Sequence, residues 1–266
     1  MKRSRAIAIV GTLLVLCVGM IRFIQYAASS PSSHVGVSAS ERSEIGDLAV
    51  KLDSSSKLTY TAAYKLPNGT TATVVQQPPN VAFAGPTGRF MFTRDAVYRC
   101  SPQPQPATCE KAKNTSDALD LDTDQAMPGW IGQGFVTART AGFTLTAAAL
   151  LGSNYMTDHR GERTIAGVQS TCLGLTTLLP DSKFYLGLGA FDICVADNGV
   201  LTVFDGSGDR GNVGVELTSY AETADPTAFQ PPAGYRVVTV DSLTGASASP
   251  STSPSTAPSA SPSASA

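Results

Sequence analysis

Three stretches of the 266-residue chain carry residue types that could do chemistry. Asp158-His159-Arg160 sets an acid, an imidazole and a guanidinium in a row, as proton transfer would need. The only other histidine is His34, and no Gly-x-Ser-x-Gly elbow occurs, so no serine or cysteine nucleophile has an evident base. His159 is therefore expected in an exposed loop. Asp120-Leu-Asp122-Thr-Asp124 begins like a calcium loop, but Gln125 stands where the sharp turn needs glycine and Ile131 where the bidentate glutamate belongs. A solvated acidic loop is expected. Gly206-Ser-Gly208-Asp-Arg-Gly211 has the letters of a dinucleotide fingerprint, yet the strand-like Val213 to Tyr220 comes next where a helix must receive the pyrophosphate, and Asp209 would repel it. A glycine-rich hairpin connection is expected there. No cofactor, metal or enzymatic activity is expected from these residues.

The five cysteines divide by context. Cys17 lies in an N-terminal apolar run, and Cys100, Cys109, Cys172 and Cys194 lie in the body. Four cysteines allow three pairings; an exported context and the local spacings favour Cys100 with Cys109 and Cys172 with Cys194. No Cys-x-x-Cys pair supports a zinc site. All 21 acidic residues lie between Glu41 and Asp241, while Lys2, Arg3, Arg5 and Arg22 precede them. The folded part thus holds 15 basic against 21 acidic residues, a net −6. That balance argues against a nucleic-acid partner.

The elements that position these residues read as mainly strand. Asn198-Gly199 between apolar runs predicts a two-residue type I′ hairpin. In that register Ala196 faces Leu201, Val195 faces Thr202, Cys194 faces Val203 and Ile193 faces Phe204. Apolar residues then lie on both faces, so each face needs a cover. Ser38-Ala-Ser-Glu41 is a capping box, and Ile45, Leu48, Ala49 and Leu52 come after it at helical spacing. Leu58 to Leu66 alternates as a strand. Pro67-Asn68-Gly69 turns it into a hairpin in which a three-residue loop sets Tyr64 against Ala72 and Ala62 against Val74. Short strands are predicted at Val81 to Phe83, Arg89 to Thr93 and Ala96 to Cys100, a strand at Thr164 to Thr171 and a long one at Val213 to Tyr220. Thr144 to Leu151 is the best helical stretch of the middle.

Basic residues before the apolar run Ala6 to Ile21 place the N-terminus in the cytoplasm and the rest of the chain outside. Ala27 and Ser29 could serve a cleavage site, whereas counting through Ile24 gives a run long enough to anchor. A lipobox at Cys17 is not supported, because Leu16 stands where a small residue is needed. Both alternatives, a single-pass cell-membrane protein and a secreted one, stand at this point. The expected organisation is residues 1–29 as signal-anchor or signal peptide, 30–37 as linker, 38–243 as one β-rich binding domain, and 244–266 as a Ser/Pro/Ala/Thr tail too poor in apolar residues to fold.

Several of these pieces, in this order, resemble the lipid- and lipoprotein-carrier superfamily typified by the periplasmic carrier LolA and the actinobacterial LppX/LprG lipoproteins. They are the first helix with Leu58-Thr-Tyr-Thr-Ala-Ala-Tyr64, the strand ending Val74-Val-Gln-Gln-Pro-Pro79, and Arg163-Thr-Ile-Ala-Gly167 running into Cys172. Cys194 with Asn198-Gly199 is next, then Val215-Glu-Leu-Thr-Ser-Tyr220 before Phe229-Gln-Pro-Pro232. The resemblance spans roughly Ser38 to Val240. It implies an α+β fold, a strongly curved antiparallel sheet forming an unclosed half-barrel, with helices over its concave side and an apolar ligand cavity between. No catalytic residues carry over. Strand alternation makes Tyr60, Ala62, Tyr64, Phe83, Phe90, Phe92, Trp130 and Phe143 the candidate cavity residues. The expected partner is a lipid or other apolar small molecule. The alternative is a membrane-tethered interaction or envelope-structural domain with a filled core.

Overall fold

The computed structural model describes residues 37–243, apart from 104, 115–133, 152–153, 179–186, 209–210 and 242. The acidic triplet 120–124 and Trp130 fall outside the described residues, as do the N-terminal run and the tail.

Helix α1, Ala39–Ser54, begins where the capping box places it. The Ser38 side chain accepts from the Glu41 N–H at 3.3 Å, and Glu41 Oε2 accepts from the Ser38 N–H at 2.6 Å. Ile45, Leu48 and Leu52 are buried at the predicted spacing. The Thr157 hydroxyl also donates to Glu41. These hydrogen bonds, the Ser38 side-chain contact foremost, hold the Glu41 pKa at about 2 instead of its ordinary 4.5. The stabilisation is therefore complete above about pH 4.5 and is lost as the pH falls through about 2. Ser38→Ala is expected to cost about 1 kcal/mol at neutral pH and to move the Glu41 titration upward. Thermal melts and an NMR titration check it, and an unmoved Glu41 midpoint would assign the shift elsewhere.

Twelve strands make one sheet among the described residues. The first meander is β1 (Tyr60–Lys65), β2 (Thr71–Gln77), β3 (Asn80–Gly85), β4 (Gly88–Phe92), β5 (Ala96–Ser101) and β6 (Thr108–Lys113). Helix α2, Ala138–Leu150, comes next. A second meander runs through β7 (Tyr155–Ile165), β8 (Val168–Thr177), β9 (Leu188–Ala196), β10 (Leu201–Gly208) and β11 (Gly211–Ala221). The meanders join where β11 pairs antiparallel with β1. Strand β12, Arg236–Thr239, adds parallel to β6, so β12 and β7 are the free edges of an open sheet, and the fold is an α+β unclosed half-barrel.

Both faces of the first meander are covered, which explains the apolar residues on each of its faces. On the helix-covered face Tyr60, Gln76, Val81, Phe92, Val97 and Ala112 form one cross-strand row within the larger core. On the other face Val75, Ala82, Met91 and Tyr98 form the neighbouring row, closed by Phe229 and Tyr235 from the returning C-terminal segment. Val37 and Leu243, at the two ends of the described stretch, are both buried in the larger core. Both disulfides, both core clusters and every described strand lie between them, within one compact unit.

The β1–β2 register is the predicted one, with Tyr64 opposite Ala72 and Ala62 opposite Val74. The Asn198-Gly199 turn differs. Ala196 pairs with Val200 through a 2.8 Å hydrogen bond, giving a three-residue loop in which only Gly199 takes positive φ (92°). Asn198 instead receives the Val200 N–H on Oδ1 and donates from Nδ2 to the Tyr220 hydroxyl, which keeps it out of the left-handed region. Leu201 consequently faces Val195, and a bulge at Thr202 restores Cys194 opposite Val203 and Ile193 opposite Phe204. The fully buried Thr202 hydroxyl bonds the Cys194 carbonyl and Ser170. Gly199 is irreplaceable for a second reason: a Cβ there would lie 2.2 Å from the Lys51 carbonyl oxygen, because the hairpin tip docks on the end of α1.

Thr164 to Thr171 is not one strand but two, turning at Ala166-Gly167, both of positive φ, with Ile165 opposite Val168. The turn that the sequence placed at Asn198 is of the two-residue kind here. Asp158, His159 and Arg160 lie on strand β7 and not in a loop. Helix α2 begins six residues before the predicted Thr144, capped by the Thr137 side chain. Gly208 pairs with Gly211, so the glycine-rich stretch is a hairpin connection, as expected.

Candidate ligand cavity

Between the two helices and the sheet lies a cavity of about 710 Å³, within the usual range for small-molecule sites. Its sheet wall comes from Tyr60, Tyr64, Val74, Gln76, Val81, Phe83 and Leu201. The α1 wall comes from Gly46, Ala49, Val50, Leu52 and Asp53. The α2 wall comes from Ala138, Arg139, Gly142, Phe143, Thr146, Ala149 and Leu150, and Phe135 to Thr137 lead into that helix.

Two glycines shape the helical wall. Glycine inside a helix is about 1 kcal/mol less favourable than alanine, yet Gly46 and Gly142 both sit at helix-interior positions facing the cavity. A Cβ on Gly46 would meet nothing within 4 Å, and one on Gly142 would make only ordinary contacts with Leu52 and Ala49 of α1. Neither position excludes a side chain for lack of room in the empty protein. Gly46 preserves open volume, and Gly142 lets α2 lie close against Leu52 and Ala49 of α1.

The mouth is apolar and exposed, with Val50 on α1 at 70% and Phe143 and Leu150 on α2 at 58% and 79%. The floor is polar but enclosed. The Tyr64 hydroxyl donates to the Leu201 carbonyl at 2.9 Å. Gln76 Nε2 donates to the Ser55 and Leu58 carbonyls at 2.6 and 2.9 Å, tying the end of α1 to β2. Burial pushes the Tyr60 and Tyr64 phenols well above their usual range, so both stay protonated at neutral pH.

Of the candidate residues, Tyr60, Tyr64, Phe83 and Phe143 line the cavity. Ala62, Phe90 and Phe92 are buried in the core but do not reach it. Phe92 packs edge-on against Phe83 and stacks with Phe90, while Phe83 meets Phe135 edge-on, so Phe83 and Phe135 form the layer that reaches the cavity. Gln76, Phe135 and the two glycines escaped sequence reasoning; the glycines, out of place in helical patterns, were the signal that could have found them.

The acid–base residues belong elsewhere. His159 Nδ1 lies 3.3 Å from Glu44 of α1, and Arg160 bridges Asp158 and Asp192. None of these lines the cavity. Among the described residues no His/Cys/Asp/Glu group could hold a metal, and no helix is long and apolar enough to cross a membrane. Cys100 is bonded to Cys109 and Cys172 to Cys194, each pair directly opposed on neighbouring antiparallel strands.

An open antiparallel sheet, helices on one face and an apolar cavity between them are the architecture that the resemblance to LolA and LppX implies. Neither a protein-family model nor a curated protein matches the sequence. Solved structures are similar in chain path. An uncharacterized conserved protein of Thermus thermophilus shares 9% identity over 74% of this chain and 99% of its own, with a TM-score of 0.43. MucB of Pseudomonas aeruginosa, solved with MucA, shares 15% over 74% of this chain, at a TM-score of 0.43; the likeness spans 64% of that protein's length. The lipoprotein LppX of Mycobacterium tuberculosis shares 13% over 69% of this chain and 98% of its own, at 0.37.

Proposed function

We propose that the domain is a non-enzymatic, extracytoplasmic module that binds a lipid or other long apolar ligand between α1, α2 and the sheet. The observation that carries this reading is the unfilled volume itself. A cavity of about 710 Å³ walled by buried Tyr60, Tyr64, Val74 and Phe83 forfeits packing that a larger side chain at Gly46 would recover. A filled structural core would have no use for a helix-interior glycine such as Gly46 facing empty space. The exposed apolar mouth at Val50, Phe143 and Leu150 offers an acyl chain an entry that stays out of water. The basic residues before the apolar N-terminal run support export, either tethered to the membrane or released by cleavage, with the Ser/Pro/Ala tail as a spacer outside.

Native mass spectrometry of a chain beginning at Pro31, exported from a bacterium with a lipid-rich envelope, tests the proposal. The expected result is a stoichiometric added mass that organic extraction removes. A bare protein mass that also takes up no added lipid would overturn it.

A further inference from the structure

The cavity floor holds two polar groups without a hydrogen-bond partner among the described residues. Tyr60 and Gln76 are cross-strand partners on β1 and β2, both line the cavity, and they are only 5% and 7% exposed. The Tyr60 hydroxyl has no hydrogen-bond partner among the described residues, in contrast to Tyr64, whose hydroxyl reaches Leu201. For Gln76 the orientation of the amide is fixed, because both of its short contacts, to the Ser55 and Leu58 carbonyls, require the nitrogen end. Its Oε1 is thereby left as an acceptor with no donor among the described residues. No fully enclosed side-chain polar atom of the described residues lacks a partner, so both atoms open onto the cavity, where the polar group of an occupant can complete them.

We infer that the cavity takes a long-chain ligand carrying an uncharged hydroxyl, which donates its hydrogen to Gln76 Oε1 and accepts one from the Tyr60 phenol. A hydroxyl is the simplest group that does both at once. An ester accepts from Tyr60 but offers Gln76 nothing. A carboxylate meets the Gln76 oxygen with its own negative oxygens and gives up its hydration to do so. Burial acts in the same direction, since it already disfavours charge on the neighbouring phenols. The inference rests on the binding reading above and narrows it to a ligand class.

Displacement of the apolar dye 1-aminoanthracene from a chain beginning at Pro31 tests it with three probes of equal chain length: 1-dodecanol, methyl dodecanoate and dodecanoate at pH 7.5. The alcohol should displace the dye at about a tenfold lower concentration than the carboxylate, with the ester between. Tyr60→Phe should bring the alcohol to within about twofold of the ester while leaving the melting temperature of the empty protein unchanged, because the hydroxyl it removes has no partner among the described residues. Equal displacement by all three probes, or an unchanged ranking in Tyr60→Phe, would overturn the inference while leaving the cavity reading intact. A melting temperature that falls in Tyr60→Phe would show the hydroxyl to be satisfied internally and would also overturn it. A chain that takes up neither the dye nor any probe would overturn the cavity reading and the inference together.

Discussion

Gly46→Trp should abolish uptake of a lipid-sized ligand while leaving the fold at least as stable. The position faces the cavity from the middle of α1, and a Cβ added there meets nothing within 4 Å, so the indole has room to enter. Any residue other than proline improves on glycine in a helix interior, by a few tenths of a kcal/mol for tryptophan and about 1 kcal/mol for alanine. The ring would also cover apolar wall now bare. An indole that displaces roughly three or four methylenes of a bound chain removes about 3 kcal/mol of binding, on the order of a hundredfold in affinity. Gly46→Ala is the matched control, gaining stability with binding retained. Dye displacement read beside thermal melts separates the outcomes. Undiminished binding in Gly46→Trp would mean that ligands do not enter between the helices. A melting temperature lowered by several degrees would mean that the wall at Gly46 is packed instead of open.

That expectation turns on a glycine, and it marks where sequence reasoning stopped. Helix α1 was legible because its signals are local: the cap reads off Ser38 and Glu41, and the buried face off Ile45, Leu48 and Leu52. The β1–β2 register was legible for the same reason, since Pro67-Asn68-Gly69 and the alternation of Tyr60, Ala62 and Tyr64 all point one way. Strand β7 left no such trace. It is an edge strand whose residues 158 to 164 are all exposed, so it runs through Asp-His-Arg-Gly-Glu-Arg-Thr with no apolar face to betray it. Its turn was hidden too, because Ala166 takes a positive φ that sequence assigns to asparagine or glycine. Strand β6 carries Glu110, Lys111 and Lys113 among its six residues and shows no apolar alternation, and β12 is four residues joined to it in parallel from far along the chain. The cavity was half legible. Aromatic alternation finds the sheet wall, but Phe90 and Phe92 share that alternation and are sealed behind Phe83 and Phe135. Empty space has no residue type of its own, and the α1 wall could be found only by asking what Gly46 leaves unfilled.

Removing the Cys172–Cys194 disulfide should be the most damaging change to stability. It closes 22 residues between directly opposed positions of β8 and β9, and in the chain-entropy model such a closure is worth roughly 3 kcal/mol. For a domain of this size that corresponds to about 6–12 °C in melting temperature. The Cys100–Cys109 ring, at 9 residues, should matter less by about 0.8 kcal/mol. Both pairs are buried to the same degree, so truncation to alanine leaves similar gaps, and the difference between the two double variants reads the ring size. The larger ring also stands nearer to function. Beyond β8 the sheet ends in β7, whose Thr157 and His159 contact Glu41 and Glu44 on the helix that walls the cavity. Loosening the β7–β8 hairpin therefore weakens the support of α1 as well as the sheet edge. The Cys172→Ala/Cys194→Ala protein is expected to lose both melting temperature and dye affinity, whereas the Cys100→Ala/Cys109→Ala protein loses melting temperature alone. A Cys172→Ala/Cys194→Ala protein that melts within a degree of the natural one would place the edge hairpin's stability in its backbone ladder. Equal losses of dye affinity in both variants would sever the link from the hairpin through Glu41 and Glu44 to the cavity.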